Sequence, residues 1–271
     1  MNILQINSSK TWAGGESHLK DLVNGLNNKG HDIVVAIKEN IAHNLRPLEV
    51  KIKTLPLKNA IDLYSVYKLS QIIKENNIDI IHAHTGIDYW LAAGARCLAQ
   101  QGKIAATRHI LVSLGSSYLH KKLYQSIDRF IAVSNKVKTK LVNTHQFLDP
   151  KTKVIYNGIN INEFAKDLTK KEQTALKEEF SITDNQIVIG MVGTLCERKN
   201  QKLLIKVAKQ LEAENVKFII VGADFTEEED YKQKLEEVIN DLDLADNVVL
   251  TGFREDVKKL MNLFDILAIP S

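Results

Sequence analysis

Two adjacent cations follow a glycine at a point where a predicted strand leads into a predicted helix. The apolar run 187–192 is followed by residues 193–200 (GTLCERKN). Arginine offers a planar fork of donors, lysine a compact charge, and a helix N-terminus free backbone N–H groups. We therefore predict that Gly193, Arg198 and Lys199 bind a diphosphate. The alternative is a basic turn that contacts only water.

A glycine pair stands in the first predicted strand-to-helix turn. The predicted strand 2–7 leads into residues 8–16 (SSKTWAGGE), where Gly14 and Gly15 precede Glu16. Glycines at a helix N-terminus allow the backbone to approach an anion closely. The segment fits neither the dinucleotide-binding glycine pattern nor the P-loop pattern. The alternative is a flexible turn whose glutamate interacts favourably with the helix dipole.

Three histidines follow two further predicted strands. His82 and His84 are two residues apart on the strand 79–83, so their side chains project from one face of the sheet. His109 follows the next strand, at the end of residues 107–109 (TRH). Such a histidine can hydrogen-bond a hydroxyl or a phosphate, or move a proton. We predict site positions for His84 and His109 and a packed position for His82, with no acidic or cysteine partner at the spacing of a metal site.

The elements that position these residues follow an alternating pattern. Short β-branched runs alternate with amphipathic helical segments along the whole chain, which indicates an α/β fold with parallel sheets. Ligands of such open sheets bind beyond the carboxyl ends of the strands, where all the residues above are placed. The pattern also predicts a helix over 114–125 and a final strand over 266–269.

The distribution of charge divides the chain. Residues 1–165 carry 21 Lys and Arg against 12 Asp and Glu, whereas residues 166–271 carry 15 against 21. We predict a first domain over 1–165, a polar linker with a short helix over 166–183, and a second domain over 184–271. The positive first domain favours an anionic surface or acceptor as partner. No motif of a nucleic-acid-binding protein supports a nucleic-acid partner.

The composition excludes several classes of protein. Hydrophobic residues make up 44% of the chain and charged residues 25%, as in a soluble globular protein. The two cysteines form no CxxC motif, which suits a reducing cytoplasm, and no apolar run approaches the roughly 20 residues of a membrane span. The predicted strand 266–269 has no following helix, so we expect the second sheet to be incomplete.

In combination, these motifs resemble the retaining glycosyltransferases of family 4, which have the GT-B fold of two Rossmann-like domains. They occur in order over nearly the whole chain, and the TRH segment is most similar to members that build cell-surface polysaccharide or lipopolysaccharide core. The segments that carry the resemblance are 14–16 (GGE), 82–84 (HAH), 107–109 (TRH), 132–134 (AVS), 154–159 (VIYNGI), 193–199 (GTLCERK), 252–254 (GFR) and 265–271 (DILAIPS).

The resemblance implies transfer of a sugar from a nucleotide-diphosphate sugar to a lipid-linked or polysaccharide acceptor, with retention of configuration and without a metal or cofactor. Together with the positive charge of the first domain, it predicts a location in the cytoplasm, peripheral at the inner face of the membrane. His109 matches the catalytic histidine that contacts the transferred sugar. Thr194 stands where the family has an arginine, and Arg198 is the candidate replacement. The other implied site residues are Gly15, Gly193, Arg198, Lys199, Phe253 and Arg254 for the donor, and Gly14, Glu16, His84 and Arg108 for the acceptor.

Two alternatives remain open beside sugar transfer. In family members, the final strand is followed by a segment with two glutamates that hold the donor. This sequence ends at Ser271, ahead of that segment. We therefore expect weak or no transfer by this chain, either as a truncated, catalytically impaired remnant or as a non-catalytic module that binds sugar nucleotides. A nicotinamide-dependent oxidoreductase is disfavoured, because no dinucleotide-binding glycine pattern is present.

Overall fold

The computed structural model describes residues 1–164, 167–211, 215–226 and 228–271. It divides the chain into two compact units, Met1–Ile159 and Asn160–Ser271. The predicted linker 166–183 begins outside the described residues, but its described part belongs to the second unit. There, Leu176 of the helix Lys170–Glu179 and Phe180 directly after it are buried in the apolar core on one face of the second sheet.

The first unit is a seven-stranded parallel sheet with the strand order β3-β2-β1-β4-β5-β6-β7. The chain order reverses between β1 and β4, which makes the carboxyl ends of these two strands the switch point where α/β sheets bind ligands. The elements are β1 (Asn2–Asn7), α1 (Gly14–Asn27), β2 (Asp32–Ile37), α2 (Glu39–Ala42), β3 (Lys51–Thr54), α3 (Leu63–Glu75), β4 (Ile80–Ala83), α4 (Gly86–Ala99), β5 (Lys103–Arg108), α5 (Tyr118–Ser126), β6 (Arg129–Ala132), α6 (Asn135–Thr144) and β7 (Thr152–Val154), with 3-10 turns at His43–Leu45 and Gln146–Lys151.

Helices cover both faces of this sheet. On one face, α1 contributes Leu19 and Val23 to a core with β1 and β2. On the other, α3 to α6 pack against β1, β2, β4, β5 and β6 in a larger core that contains Leu69, Leu91 and Phe130. Burial of the central strands between two helical layers explains the continuous apolar run of β2.

The helix predicted over 114–125 begins later, at Tyr118. Ser117 caps it by accepting a hydrogen bond from the backbone N–H of His120 at 3.4 Å. The preceding residues are held in a loop, because the carbonyl of Gly115 pairs with the imidazole Nε2 of His145 at 2.9 Å. The predicted start of the helix was therefore wrong.

The second unit is a four-stranded parallel sheet with the strand order β10-β9-β8-β11. Helices α9 and α10 cover one face, and α8 and α11 cover the other. The predicted strand 266–269 forms over its first half only. The elements are α7 (Ile161–Phe164), α8 (Lys170–Glu179), β8 (Ile187–Val192), α9 (Gln201–Leu211), β9 (Val216–Val221), α10 (Asp230–Asp241), β10 (Val248–Leu250), α11 (Val257–Leu263) and β11 (Ile266–Leu267), with a 3-10 turn at Glu197–Lys199.

Three aspartates fix the alignment of neighbouring strands at the amino ends of the sheets. Asp79, Asp128 and Asp265 each stand immediately before a strand. Each carboxylate accepts a hydrogen bond from a backbone N–H near the start of the adjacent strand, at 2.7–2.8 Å. In return, the backbone N–H of each aspartate donates to the carbonyl of the strand residue whose N–H its carboxylate accepts. These paired bonds set the register at the edge opposite to the candidate site.

Candidate functional site

In the first unit, the predicted site residues come together at the carboxyl ends of β1, β4 and β5. These strands are adjacent, with Ile6 paired with Ala83 and Ala83 with Ala106. Ser8, His84 and His109 follow the three strands. The prediction that His82 and His84 share one face is confirmed, since their ring centroids are 4.3 Å apart.

Glu16 organises the loop that enters α1. Its side chain is buried, with Oε1 accepting from the hydroxyl of Ser9 at 2.5 Å and from Asn7 Nδ2 at 3.2 Å. Oε2 accepts from the backbone N–H of Ala13 at 3.0 Å. Acceptor binding by Glu16 stays a prediction. What the structure adds is a carboxylate that holds this turn in shape.

Gly14 and Gly15 form the first turn of α1 with open space beside them. Among the described residues, apart from the chain neighbours and the backbone of α1, no heavy atom lies within 4 Å of a Cβ placed at either glycine. A bulky group can therefore approach the backbone here, which is what the predicted contacts with donor and acceptor require.

Four imidazoles gather beside this turn. His82 Nε2 pairs with the hydroxyl of Thr107 at 2.7 Å, and His84 Nε2 pairs with Gln5 Oε1 at 2.8 Å. His84 and His109 approach through Nδ1 and Nε2 at 3.4 Å. The ring of His18 meets that of His109 edge-on, with centroids 5.3 Å apart. His82 has the packed position predicted for it, whereas His109 is half-buried.

Burial keeps this histidine cluster neutral. It lowers the pKa of His82 to about 3 and that of His109 to about 4, and it holds the pKa of His84 well below its usual range. The neighbouring imidazoles add to the effect, because a second positive charge would be repelled by the first. Burial also raises the pKa of the nearby Asp88 carboxyl to about 6. Neutral imidazoles both donate and accept hydrogen bonds, as recognition of hydroxyl groups requires.

We expect the first unit to lose stability as the pH falls from about 6.5 towards 4. Unfolded histidine takes up a proton near 6.5, whereas folded His82 does not until about 3, so this group alone costs up to about 1.4 kcal/mol per pH unit. Asp88 opposes the trend, because its folded pKa of about 6 lies above the ordinary 3.8. Urea unfolding followed by the fluorescence of Trp12 and Trp90 measures the change.

The Asp88→Asn variant is the matched test of this balance. The asparagine keeps an oxygen that can accept the hydrogen bond from the backbone N–H of Thr85, which is 2.7 Å long in the wild type. It removes the carboxyl group that titrates. The loss of stability with acid should become steeper in the variant. A wild-type unfolding midpoint that stays constant between about pH 7 and about pH 5 would contradict the expectation.

Arg108 lies on the other face of β5 from Thr107, because side chains alternate along a strand. Its side chain is buried, and its guanidinium donates to the carbonyl of Val112, in the loop that follows His109. The structure thus shows Arg108 positioning the loop 109–117. The predicted contact with the acceptor stays a prediction.

In the second unit, three glycines bring the ends of β8, β9 and β10 close together. Gly222 donates to the carbonyl of Gly252 at 3.0 Å, and a Cβ at Gly222 would lie 2.0 Å from the carbonyl oxygen of Gly193. The aliphatic part of the Lys199 side chain passes Gly193, with Cε 3.4 Å from the place a Cβ would take. The lysine side chain therefore runs alongside the backbone of this glycine.

Arg198 and Lys199 precede α9 and are available for an anion. Arg198 is exposed and Lys199 half-buried, and among the described residues neither forms an ion pair. Gln201 starts α9 with a buried side chain, whose Nε2 donates to the carbonyl of Thr194 at 2.9 Å. By contrast, the first turn of α10 already has a carboxylate bound to it: Asp224 accepts a hydrogen bond from the backbone N–H of Tyr231 at 2.9 Å.

The turns after β9 and β10 present two aromatic rings. Phe253 was predicted to bind the donor, and it lies edge-to-face with Phe225, with centroids 6.4 Å apart. Both rings are exposed. Phe225 was not among the residues predicted from the sequence, although it follows β9 at the same edge as the other candidates.

Arg254 has partners within the second unit. Its guanidinium pairs with Asp256 at 2.8 Å and with both carboxylate oxygens of Glu179, and it lies over the ring of Phe180. The carboxylates of Asp256 and Glu179 raise the pKa of Arg254 still further above its usual range. The guanidinium thus joins α8 to the start of α11. Donor binding by Arg254 stays a prediction.

Within the described residues, no group of three or more His, Cys, Asp and Glu side chains is placed to hold a metal ion. The helices formed by these residues include none that is both long and apolar enough to cross a membrane.

Two family models cover most of the chain. Residues 12–163 match the model described as Glycosyltransferase Family 4, and residues 172–271 match Glycosyl transferases group 1. The uncharacterized glycosyltransferase MJ1607 of Methanocaldococcus jannaschii is 26% identical over 94% of this chain and 70% of its own length. The UDP-Gal:alpha-D-GlcNAc-diphosphoundecaprenol alpha-1,3-galactosyltransferase of Escherichia coli is 28% identical over 78% of this chain, which spans 56% of that relative.

A solved structure resembles the whole chain. Alr3699/HepE of Anabaena, in complex with UDP-glucose, is 25% identical and aligns with a TM-score of 0.86. The alignment covers 100% of this chain and 74% of that protein.

Proposed function

Because the chain belongs to glycosyltransferase family 4, we propose that it transfers a sugar from a nucleotide diphosphate to a hydroxyl of a lipid-linked or polysaccharide acceptor of the cell surface. Its two parallel α/β units have the GT-B fold. The observation that carries the proposal is the pair Arg198 and Lys199, two cations outside any ion pair of the described residues, beside the glycine edge of the second sheet.

The proposed roles of the site residues follow from the bonds that change. The bond from the anomeric carbon to the diphosphate breaks, a bond to the acceptor oxygen forms, and the acceptor proton leaves with the diphosphate. Negative charge grows on the diphosphate, and Lys199 and Arg198 stabilise it without a metal ion. His109 contacts the sugar as a neutral hydrogen-bonding group. Gly14 and Gly15 leave space for substrate beside α1.

Phe253 and Phe225 support a nucleotide base as the other end of the donor. Exposed aromatic rings beside a diphosphate site offer a stacking surface. The galactosyltransferase relative is named for UDP-Gal, and the Anabaena protein was solved with UDP-glucose. UDP-hexoses are therefore the first donors to test.

We expect Phe253→Ala to weaken the binding of UDP about 5- to 160-fold. Stacking of one base on an aromatic ring contributes about 1–3 kcal/mol. Calorimetric titration of the purified chain with UDP measures the change. Leu211→Ala, at the far end of α9, is a matched control that removes an equally exposed apolar side chain. Equal affinities of Phe253→Ala and wild type would argue against this base site.

The transfer assay uses radiolabelled UDP-hexoses and lipid-linked acceptors. Product formation supports the proposal, and the anomeric coupling constant of the product tests the retention that the family resemblance implies. Saturable UDP binding with no turnover on any acceptor would instead indicate a sugar-nucleotide binding module. Absence of both would overturn the proposal.

The first unit also supports a location at the cytoplasmic face of a membrane. Residues 1–165 carry the positive charge excess of the chain, and the start of α3 exposes apolar and aromatic side chains next to Lys58 and Lys68. Apolar side chains flanked by lysines suit the interface of an anionic bilayer. The α3 patch consists of Ile61, Leu63, Tyr64 and Tyr67.

The protein is expected to bind vesicles that contain phosphatidylserine, and to dissociate as salt is raised, because each lysine near the surface contributes only about 1 kcal/mol of screened attraction. Replacing Tyr64 and Tyr67 together by serine should weaken binding at low salt, as measured by vesicle sedimentation. Tyr156→Ser, another exposed tyrosine of the first unit, serves as control. Wild-type protein that stays unbound at low salt would exclude this surface.

A further inference from the structure

Gln5, His84 and His109 form a continuous chain of side chains at the end of the first sheet. Gln5 Oε1 lies 2.8 Å from His84 Nε2, and His84 Nδ1 lies 3.4 Å from His109 Nε2. The two rings are nearly coplanar, with an interplanar angle of 18° and centroids 5.7 Å apart. The centroid distance exceeds the nitrogen–nitrogen distance by about two ring radii. The two nitrogens therefore face each other in plane, as in a hydrogen bond rather than a stack.

The chain has a direction, because a neutral imidazole has one donor and one acceptor nitrogen. Gln5 Oε1 can only accept, so His84 Nε2 must carry the proton of that bond. His84 is fully buried and stays neutral, since burial and three neighbouring imidazoles hold its pKa well below the usual range. Its Nδ1 is then an acceptor, and His109 Nε2 must donate to it.

We propose that Gln5 and His84 are positioning residues that fix the tautomer of His109 with the proton on Nε2, which leaves Nδ1 as a hydrogen-bond acceptor for a hydroxyl of the substrate. The catalytic part of this inference rests on the proposed function. The tautomer itself does not, and it is measured in the absence of any substrate.

Burial makes the anchor of the chain rigid. Gln5 is fully buried on β1, where its backbone pairs with His82 of β4 and Val35 of β2. His84 is also buried, and its backbone N–H donates to Asp88 Oδ2 at 3.3 Å. A side chain fixed on both sides can impose one ring orientation on a more exposed neighbour.

Nitrogen-15 spectra of histidine-labelled protein near neutral pH test the proposal directly, because protonated and unprotonated ring nitrogens have distinct shifts. The His109→Gln variant identifies the signals of His109. We expect His109 in the wild type as a single tautomer protonated on Nε2. A proton on Nδ1, which the opposite orientation of the Gln5 amide would produce, overturns the proposal.

The Gln5→Met variant removes the acceptor with little change of volume. We expect His109 to become a mixture of tautomers and kcat to fall about 3- to 10-fold, the effect of one lost neutral hydrogen bond, while the affinity for UDP stays constant. Thr107→Val is the control, because it removes the partner of His82 and leaves the chain to His109 intact.

The outcomes separate this inference from the proposed function. An unchanged tautomer of His109 in Gln5→Met overturns the positioning role, and so does an altered tautomer with wild-type kcat. If the wild-type protein transfers no sugar, the proposed function is wrong, but the spectrum of the wild-type protein still decides the tautomer of His109. If Gln5→Met does not fold, the wild-type spectrum alone decides.

Discussion

Replacing Lys199 by alanine is expected to lower kcat/KM for sugar transfer about 100- to 1,000-fold, the usual effect of removing one fixed charge or donor from a developing oxyanion. Negative charge increases on the diphosphate as the bond to the sugar breaks. The side chain of Lys199 passes Gly193 at the mouth of α9, and its ammonium is in no ion pair among the described residues. Its charge is thus available to the leaving group.

Three variants sharpen this test. Lys206→Ala removes an exposed lysine of α9 away from the glycine edge and should leave kcat/KM unchanged. Lys199→Arg keeps the charge and should recover part of the rate. Arg198→Ala should also reduce transfer, because Thr194 stands where the family has an arginine. Steady-state kinetics that are equal for Lys199→Ala and wild type would contradict the diphosphate site.

Replacing Gly222 by alanine is expected to destabilise the second unit by about 3 kcal/mol or more. The new Cβ would lie 2.0 Å from the carbonyl oxygen of Gly193, and the backbone has a φ of +148°, which L side chains rarely adopt. Overpacking and backbone strain each cost about 1–3 kcal/mol. Because the clash is with backbone, the glycine edge must move, and UDP binding should be lost as well.

Gly252→Ala is the matched comparison. Its φ of +72° is also strained for alanine, but in the part of the chain that the structure describes only the neighbouring residues come within 4 Å of the added Cβ. We expect a cost of about 1–2 kcal/mol from conformation alone. Hydrogen exchange of the amides in β8 and β9 measures both changes. Similar protection in the two variants would mean that the contact with Gly193 relaxes at little cost.

Much of the fold follows from the sequence because the signals are local. Buried β-branched runs such as β2 and β9 predict parallel strands with helices on both faces, and the structure has this arrangement. The short strand β7 was not predicted, since its residues Thr152–Val154 carry no apolar run and depend on pairing with β6. The helix start near Ser117 depends on the distant His145, which no local pattern reveals.

The sequence predicted where the candidate site residues lie relative to the strands, but not which side chains they contact. Strand ends identify His84, His109 and Lys199, because ligands of α/β sheets bind there. The partners of Arg254 could not be predicted, because Glu179 is 75 residues away and lies in the segment interpreted as a linker. Pairing over such a distance depends on tertiary packing, which one sequence does not report.

The three aspartates align the strands at the edge of the sheets that carries none of the candidate site residues. Asp79, Asp128 and Asp265 hold neighbouring strands in register by side-chain and backbone bonds at the edge away from the histidines and the glycines. Loops at the opposite edge can then change length and composition without shifting any strand. Such a scaffold allows loops with new binding preferences to evolve, or to be engineered by loop exchange, while the strands that carry them stay in place.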